Sequence, residues 1–188
     1  MTTLIVDHEN RKVYADKQTT STRLKTTRGM LSGLFLNPKY ESTTVTNEPT
    51  TKVFKFTPEM SECEMLFAGA GCTEYIVRCE KSVRSGKGLP DPPEDLSIDC
   101  TIINLIPSGD QCVLYVYELV QKTKLFGLST GLKWERTRIN KQAGYSTYGS
   151  GGNFAHGALN TKVTIDKVFE SVSICDPYTS SCFDEESL

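Results

Sequence analysis

The sequence predicts an α+β fold. Strand-like segments recur along the chain, whereas helix-like segments are confined to the middle and to the region near the C-terminal end. Helices segregated in this way cover the faces of antiparallel sheets, so we expect a sheet sandwich covered by helices. The 188 residues fit a single domain, 1–188. A chain of this length buries roughly 70% of the surface that its unfolded form exposes.

The chain opens with two β-rich segments, LIVD and KVYA, which the polar segment HENR separates. This pattern predicts a β-hairpin. If residues 8–10 form a three-residue loop with Asn10 in the left-handed conformation, Asp16 lies opposite Thr2. Facing residues of an antiparallel pair project from the same side of the sheet, so we expect Asp16 beside Thr2; a shift by one residue would turn it away.

The segment 19–51 is rich in threonine and serine and contains the apolar run GMLSGLFLNP. This composition predicts a long loop or an irregular insertion around 21–51, used as a lid or as a subunit contact. After it, KVFKF alternates like a strand, and MLFAGAG predicts a strand that ends in a glycine-rich turn. CTEYIVRCEKSVRSG has helical spacing and predicts a helix that ends at Gly86.

The C-terminal half begins with a connector, KGLPDPPEDLS, because its prolines lack the amide hydrogen that a helix needs. IDCTIINLI and QCVLYVYEL predict strands around the turn PSGDQ, and FGLST and YSTYGS predict shorter extended segments. NFAHGAL and TIDKVFESVSI predict two helices, the second with Thr164 as its N-cap. The acidic end DEES reads as a short tail.

The bulk composition argues against several classes of partner. The 21 basic and 23 acidic residues give a net charge of −2, which favours neither nucleic acid nor an anionic membrane. Seven cysteines without a C-x-x-C pair indicate reduced thiols in a cytoplasmic protein. No apolar run approaches the ~20 residues of a membrane span. No metal-ligand spacing or phosphate-binding loop occurs, so we expect no cofactor and no metal.

Two threonines follow Met1, and this start has a potential chemical use. Removal of Met1 would give Thr2 a free amine beside its hydroxyl. An α-amino group has a reference pKa of about 7.7 to 8.0, so it can take the hydroxyl proton near neutral pH. The alternative is that Met-Thr is an ordinary start with no chemical role.

Several motifs occur in an order that resembles the N-terminal nucleophile (Ntn) hydrolases of the proteasome β-subunit type, and especially the HslV-type bacterial peptidase. The motifs span nearly the whole chain, and their joint order is more specific than any one of them. They are Met-Thr-Thr at the start, A-D-x-Q-T-T at Ala15–Thr20, K-V at Lys52, the glycine turn Gly69–Gly71, G-S-G-G at Gly149–Gly152 and D-P-Y-T at Asp176–Thr179.

The resemblance implies a four-layer αββα sandwich of two antiparallel sheets, known as the Ntn-hydrolase fold. It also implies a homo-oligomeric ring that hydrolyses peptide or protein substrates. The family has two long helices after the glycine turn, and here the proline-rich connector takes the place of the second. Because that helical layer meets the ATPase or the outer ring in the family, an ATPase partner stays open.

Site residues carried over from the resemblance have distinct roles. Thr2 is the nucleophile, Lys52 holds its ammonium near the Thr2 hydroxyl, and Asp16 orients Lys52. Gly71 is the first choice and Gly69 the second for the backbone N–H that binds the oxyanion. Three further residues support the terminal amine: Ser150, Asp176 and Thr179.

Two other functions remain open from the sequence. A non-proteolytic amidohydrolase would use the same nucleophile on a small amide, and an inactive ring-assembly protein would never expose Thr2. His8 and His156 are the two histidines, and they read as turn and helix-surface residues. A Ser-His-Asp triad would need a nucleophile elbow that the sequence lacks.

Overall fold

The computed structural model describes residues 2–26, 40–47, 50–95, 97–109, 111–123 and 129–188. Strands dominate this part of the chain, with one helix in the middle and two near the C-terminal end. In chain order the elements are β1 (Thr3–Asp7), β2 (Lys12–Asp16), β3 (Thr19–Thr26), β4 (Tyr40–Asn47), β5 (Val53–Phe56), β6 (Met65–Gly71), α1 (Thr73–Arg84), β7 (Cys100–Ser108), β8 (Gln111–Thr123), β9 (Ser129–Ile139), β10 (Tyr145–Gly149), α2 (Gly152–Leu159), α3 (Ile165–Cys175) and β11 (Phe183–Ser187).

Two larger antiparallel sheets and a two-stranded one contain these strands. The larger sheets have the strand orders β10-β1-β2-β11 and β5-β6-β7-β8-β9, and β3 pairs with β4. All pairings are antiparallel. The predicted α+β class is therefore confirmed, with two larger antiparallel sheets, a two-stranded one and three helices in the described part of the chain.

Three apolar clusters connect these elements. The first joins Leu4, Val6, Val13 and Ala15 of the four-stranded sheet to Leu66, Ala68, Ile103, Leu105 and Leu114 of the five-stranded sheet. The second packs Tyr75, Ile76 and Cys79 of α1 on the other face of the five-stranded sheet. The third packs Ala155, Leu159, Val168, Phe169 and Val172 of α2 and α3 on Ile5 and Tyr14. These clusters are compatible with a sandwich, because each of the two larger sheets has apolar side chains on both of its faces.

The strongest sequence patterns agree with the structure. The segment MLFAGAG is β6, residue for residue, and the predicted helix before Gly86 is α1. The predicted glycine turn at Gly69–Gly71 is wrong, because these residues pair with β7 as part of the strand. Gly86 follows α1 with φ of 73°, the left-handed conformation that favours glycine after a helix. Thr164 occupies the N-cap of α3 in extended geometry, but its side chain makes no capping hydrogen bond.

The register of the first hairpin corrects the sequence prediction. Leu4 pairs with Ala15 and Asp7 with Lys12, so the ladder is shifted by one residue and continues to place Asp16 opposite Thr3 rather than Thr2.

The loop of this hairpin explains the shift, because it has four residues, 8–11, instead of three. The Asp7 carboxylate accepts hydrogen bonds from the amides of Glu9 and Asn10 at 3.1 and 3.0 Å, and from the Asn10 side chain at 2.7 Å. The left-handed residue is Arg11, with φ of 54°, not Asn10. An aspartate that caps the loop in this way favours the longer turn.

Four strands were not predicted at their observed extent. The expected irregular insertion contains β3 and β4, whose threonine-rich sequences favour strands through β-branched side chains. The apolar run at 29–38 lies outside the described residues. β9 extends well beyond the predicted short segment, and the acidic end forms β11 against β2. These strands lack strict apolar alternation, so pairing with a neighbour decides their conformation.

In the described residues, no helix combines the length and the apolar character needed to cross a membrane.

Candidate active site

Lys52 lies at the centre of a buried polar cluster at one end of the two larger sheets. It immediately precedes β5 and is only 2% exposed. Its ammonium donates to Thr2 Oγ1 at 2.7 Å, to Asp16 Oδ1 at 3.4 Å and to the carbonyl oxygen of Gln18. An ammonium has three N–H donors and no acceptor, so these three acceptors match the charged form of Lys52.

The charges of this cluster are held away from water. Burial raises the pKa of Asp16, and it lowers the pKa of Lys52, while the attraction between the two side chains opposes both shifts. The result is an ion pair beside the Thr2 hydroxyl in a site with little dielectric screening. A positive charge in such a place stabilises an alkoxide more than it would in water.

Asp16 is anchored by the backbone on both of its carboxylate oxygens. Oδ2 accepts the amide hydrogen of Thr3 at 2.7 Å, and Oδ1 accepts that of Gln18 at 2.9 Å. Asp16 is fully buried. It therefore reaches Lys52 from the end of β2 although it pairs with Thr3, and the register correction does not separate the two side chains.

A second hydrogen-bond network joins the other predicted residues. Ser150 Oγ and Thr179 Oγ1 both donate to Asp176 Oδ2, at 2.6 and 2.8 Å. Thr179 Oγ1 also lies 2.6 Å from Thr3 Oγ1. Burial acts to raise the pKa of Asp176, but the hydrogen bonds from Ser150, the Tyr178 amide and Thr179 outweigh it and lower that pKa. Asp176 is thus a carboxylate next to the first residues of β1.

The two glycines considered for the oxyanion donor differ in geometry. The Gly69 amide donates to the Lys52 carbonyl at 3.2 Å, so it is already used in strand pairing. Alternate amides of a strand point to the same side, so the Gly71 amide also points toward the β5 edge. β5 begins at Val53 and does not extend alongside Gly71. Gly71 also lines the same cavity as Thr2, and it remains the better candidate.

We expect Gly71→Ala to destabilise the fold. Gly71 has φ of 115°, and an added Cβ would collide with the backbone carbonyl of Asp99. A non-glycine residue held in such a conformation costs about 1–3 kcal/mol before the collision is counted. Gly157→Ala is the matched control, because a Cβ there meets open space on α2. Urea unfolding should show a loss for Gly71→Ala and no loss for Gly157→Ala; equal stability of the two variants would contradict the expectation.

A cavity of about 330 Å³ lies beside Thr2. The backbone at Gly149 lies very close to Thr2. Only glycine allows this approach, because a Cβ at this residue would collide with the Thr2 carbonyl oxygen. Among the predicted residues, Thr2, Gly71 and Ser150 line the cavity directly. The complete lining is Thr2, Ala70, Gly71, Asp99, Thr101, Glu118, Gly149 and Ser150.

Several residues of the site had no predicted role: Thr3, Gln18 and Gly149, and the cavity-lining residues Ala70, Asp99, Thr101 and Glu118. Thr3 and Gln18 hold Asp16 through their amides, and Gln18 also accepts from Lys52 through its carbonyl. Contacts made by backbone groups do not depend on the residue type, so the sequence does not predict them. Gly149 begins the G-S-G-G motif, but its close approach to the Thr2 carbonyl oxygen is visible only in the structure.

Other nucleophiles and bases lie elsewhere or are unreactive. His8 is buried in the first hairpin loop with Nε2 2.8 Å from Ser146 Oγ, and His156 is exposed on α2. Burial raises the pKa of Cys79 to about 12 and also raises that of Cys100, so neither thiol is a thiolate near neutral pH. Within the described residues, no group of three or more His, Cys, Asp or Glu side chains could hold a metal ion.

Comparison with known proteins adds no relative: no family model matches the chain, and no curated protein matches it.

Proposed function

We propose that this chain is a threonine-type peptidase with the four-layer αββα Ntn-hydrolase fold, similar to the proteasome β-subunit and HslV-type peptidases. The observation that carries the proposal is the 2.7 Å hydrogen bond from the buried Lys52 ammonium to Thr2 Oγ1. Burial of a charged lysine costs desolvation free energy even when it is paired. Its contact with the Thr2 hydroxyl places a positive charge where it can favour loss of the hydroxyl proton.

In the proposed reaction, Thr2 Oγ1 attacks the carbonyl carbon of a peptide bond. Its proton passes to the α-amine of Thr2, which is free once the bond before Thr2 has been cleaved. Lys52 stabilises the negative charge that develops on Oγ1, and the Gly71 amide binds the oxyanion. The C–N bond then breaks, the leaving nitrogen takes the proton, and water hydrolyses the resulting ester to release the acid and restore the Thr2 hydroxyl.

The arrangement of the layers supports the fold that we propose. One cluster joins the two larger sheets, α1 covers the five-stranded sheet, and α2 with α3 covers the four-stranded sheet. This gives the order helix, sheet, sheet, helices. The proposal does not include docking to an ATPase, because α1 is the only helix between β6 and β7 in the described residues. The free cysteines fit a reducing compartment, so we include a cytoplasmic location in the proposal.

The network of Ser150, Asp176 and Thr179 supports the use of a free amine. Its carboxylate lies next to the start of β1, and the lowered pKa of Asp176 keeps it charged near neutral pH. An anion close to an amine favours hydrogen bonding that orients the amine. We therefore assign these three residues to the support of the Thr2 amine.

A closed homo-oligomeric ring is also part of the proposal. We expect sedimentation at micromolar concentration to show a species several times larger than the 20.9 kDa chain, because ring assembly in this class uses one repeated contact between identical subunits. A single species at the mass of the chain would contradict ring assembly while leaving the chemistry of Thr2 open.

The amidohydrolase and the inactive assembly protein are separated from the peptidase by one experiment. Intact-mass measurement first establishes whether Thr2 is the first residue of the purified chain. Turnover is then measured on a short peptide series and on small amides of matched leaving group. Hydrolysis of peptides supports the peptidase, hydrolysis of small amides alone supports the amidohydrolase, and a free Thr2 without any turnover contradicts both enzymes.

A further inference from the structure

We propose that Asp184 is a positioning residue of the Thr2 site, a second carboxylate that acts on Lys52 and helps to keep its side chain charged. Asp16 supplies the first carboxylate, at 3.4 Å. Asp184 lies on β11, at the edge of the four-stranded sheet, and it is not among the residues that line the cavity beside Thr2. The inference rests on the proposed function for its effect on catalysis, but the charge state of Lys52 can be measured without turnover.

Backbone hydrogen bonds tie three short segments of the chain together around Lys17. The Lys17 amide donates to the Cys182 carbonyl at 3.0 Å, and the Thr50 amide donates to the Lys17 carbonyl at 3.0 Å. These two bonds fix the segment after β2 between the residues that lead into β11 and those that lead into β5. Lys52 and Asp184 therefore belong to segments that are held on either side of the same residue.

The side chain of Asp184 projects toward the sheet that Lys52 leads into. Asp184 pairs with Ala15 of β2, and facing residues of an antiparallel pair project from the same side of the sheet. Ala15 belongs to the apolar cluster between the two larger sheets. Asp184 therefore faces the five-stranded sheet, and β11 contacts β5, which Lys52 immediately precedes.

The two carboxylate oxygens of Asp184 have different surroundings. Oδ1 lies 2.7 Å from Lys17 Nζ in a partly exposed ion pair. Oδ2 is buried and makes no hydrogen bond with any of the described residues. A buried carboxylate oxygen without a hydrogen bond is costly unless positive charge compensates it. Lys17 supplies part of that charge from the surface, and the buried Lys52 ammonium is a second cation that can supply the rest.

The charge of Asp184 acts on Lys52 in the direction that the proposal requires. Burial lowers the pKa of Lys52, whereas Asp16 and, to a smaller extent, Asp184 raise it. Charges interact more strongly where water is excluded, and Lys52 is buried. Charged groups near the ammonium include Asp16 at the end of β2, Asp184 on β11, the paired Lys17 and the amine of Thr2 once it is free. Asp184 thus favours the charged form of Lys52 that donates to Thr2 Oγ1.

Two variants with opposite charge changes test the proposal. In Asp184→Asn the pKa of Lys52 should fall, because a negative charge is lost, whereas in Lys17→Met it should rise or stay the same, because a positive charge is lost. The measurement is an NMR titration of the chain with isotope-labelled lysine Cε, in which Lys52→Met identifies the Lys52 signal. A merely structural ion pair would give the same shift in both variants. An unchanged Lys52 pKa in Asp184→Asn, or an equal fall in both variants, would overturn the inference.

Glu185→Gln is the matched control. Glu185 is the next residue of β11, it projects from the opposite face, and it forms an exposed ion pair with Lys12 at 3.1 Å. This variant should leave the pKa of Lys52 at the parent value, and an equal fall would assign the effect to the net charge of the strand. Urea unfolding establishes that each variant is folded. Should Asp184→Asn fail to fold, Lys17→Met still tests the proposal, because a fall of the Lys52 pKa in that variant would overturn it.

The dependence of turnover on pH separates this inference from the proposed function. Activity that requires the Lys52 ammonium is lost as the pH rises through the pKa of Lys52, so the alkaline limb of kcat should move to lower pH in Asp184→Asn. KM should not change, because Asp184 does not line the cavity. Hydrolysis with an unshifted Lys52 pKa would contradict the inference and leave the peptidase assignment in place. A shifted Lys52 pKa in a chain that hydrolyses nothing would support the inference and count against the peptidase.

Discussion

Thr2→Ala is expected to abolish hydrolysis. The variant removes the oxygen that Lys52 contacts at 2.7 Å, and the described residues around the cavity provide no second hydroxyl with an ammonium partner. Loss of a nucleophile in a hydrolase that forms a covalent intermediate reduces kcat by about 10⁴- to 10⁶-fold. The measurement is turnover of peptides and small amides by the purified variant after intact-mass verification.

Two controls accompany this variant. Thr2→Ser keeps the hydroxyl and should retain measurable turnover, whereas Thr161→Ala removes an exposed threonine from the turn after α2 and should retain full turnover. The fold of Thr2→Ala should survive, because Lys52 keeps its bonds to Asp16 and Gln18. Turnover by Thr2→Ala at the parent rate would assign the reaction to a different nucleophile.

Replacement of Lys52 is expected to lower both activity and stability. Lys52→Met keeps an unbranched side chain but removes the charge that stabilises the alkoxide, so turnover should fall by about 10²- to 10³-fold, as when one oxyanion donor is lost. The Asp16 carboxylate would remain buried and lose its partner. Breaking a buried pair from one side costs about 3–5 kcal/mol, so the midpoint of urea unfolding should fall clearly.

A double variant separates the chemical role of Lys52 from its role in folding. Lys52→Met combined with Asp16→Asn removes both charges, so it should recover much of the lost stability while remaining inactive. Lys55→Met is the matched control, because Lys55 is on β5, just after Lys52, and forms a partly exposed ion pair with Glu64 at 3.0 Å. Full activity of the double variant would show that the ion pair has no part in catalysis.

Local sequence patterns determined several elements of this protein. The short apolar run MLFAGAG predicts β6, and helical spacing predicts α1. The element predictions succeed because each depends on residues that are close in the chain. The site residues came instead from the family resemblance. The structure joins Thr2, Lys52 and Asp16 in one hydrogen-bonded cluster and Ser150, Asp176 and Thr179 in another.

Tertiary contacts decided what those patterns left open. The register of the first hairpin depends on the Asp7 carboxylate bonding to the loop amides, and β11 is a strand because it pairs with β2. Burial of Lys52 among three acceptors comes from β1, β2 and β5 meeting at one end of the sheets. A sequence pattern records the preference of a residue for its own conformation, whereas these features depend on which residues the fold brings into contact.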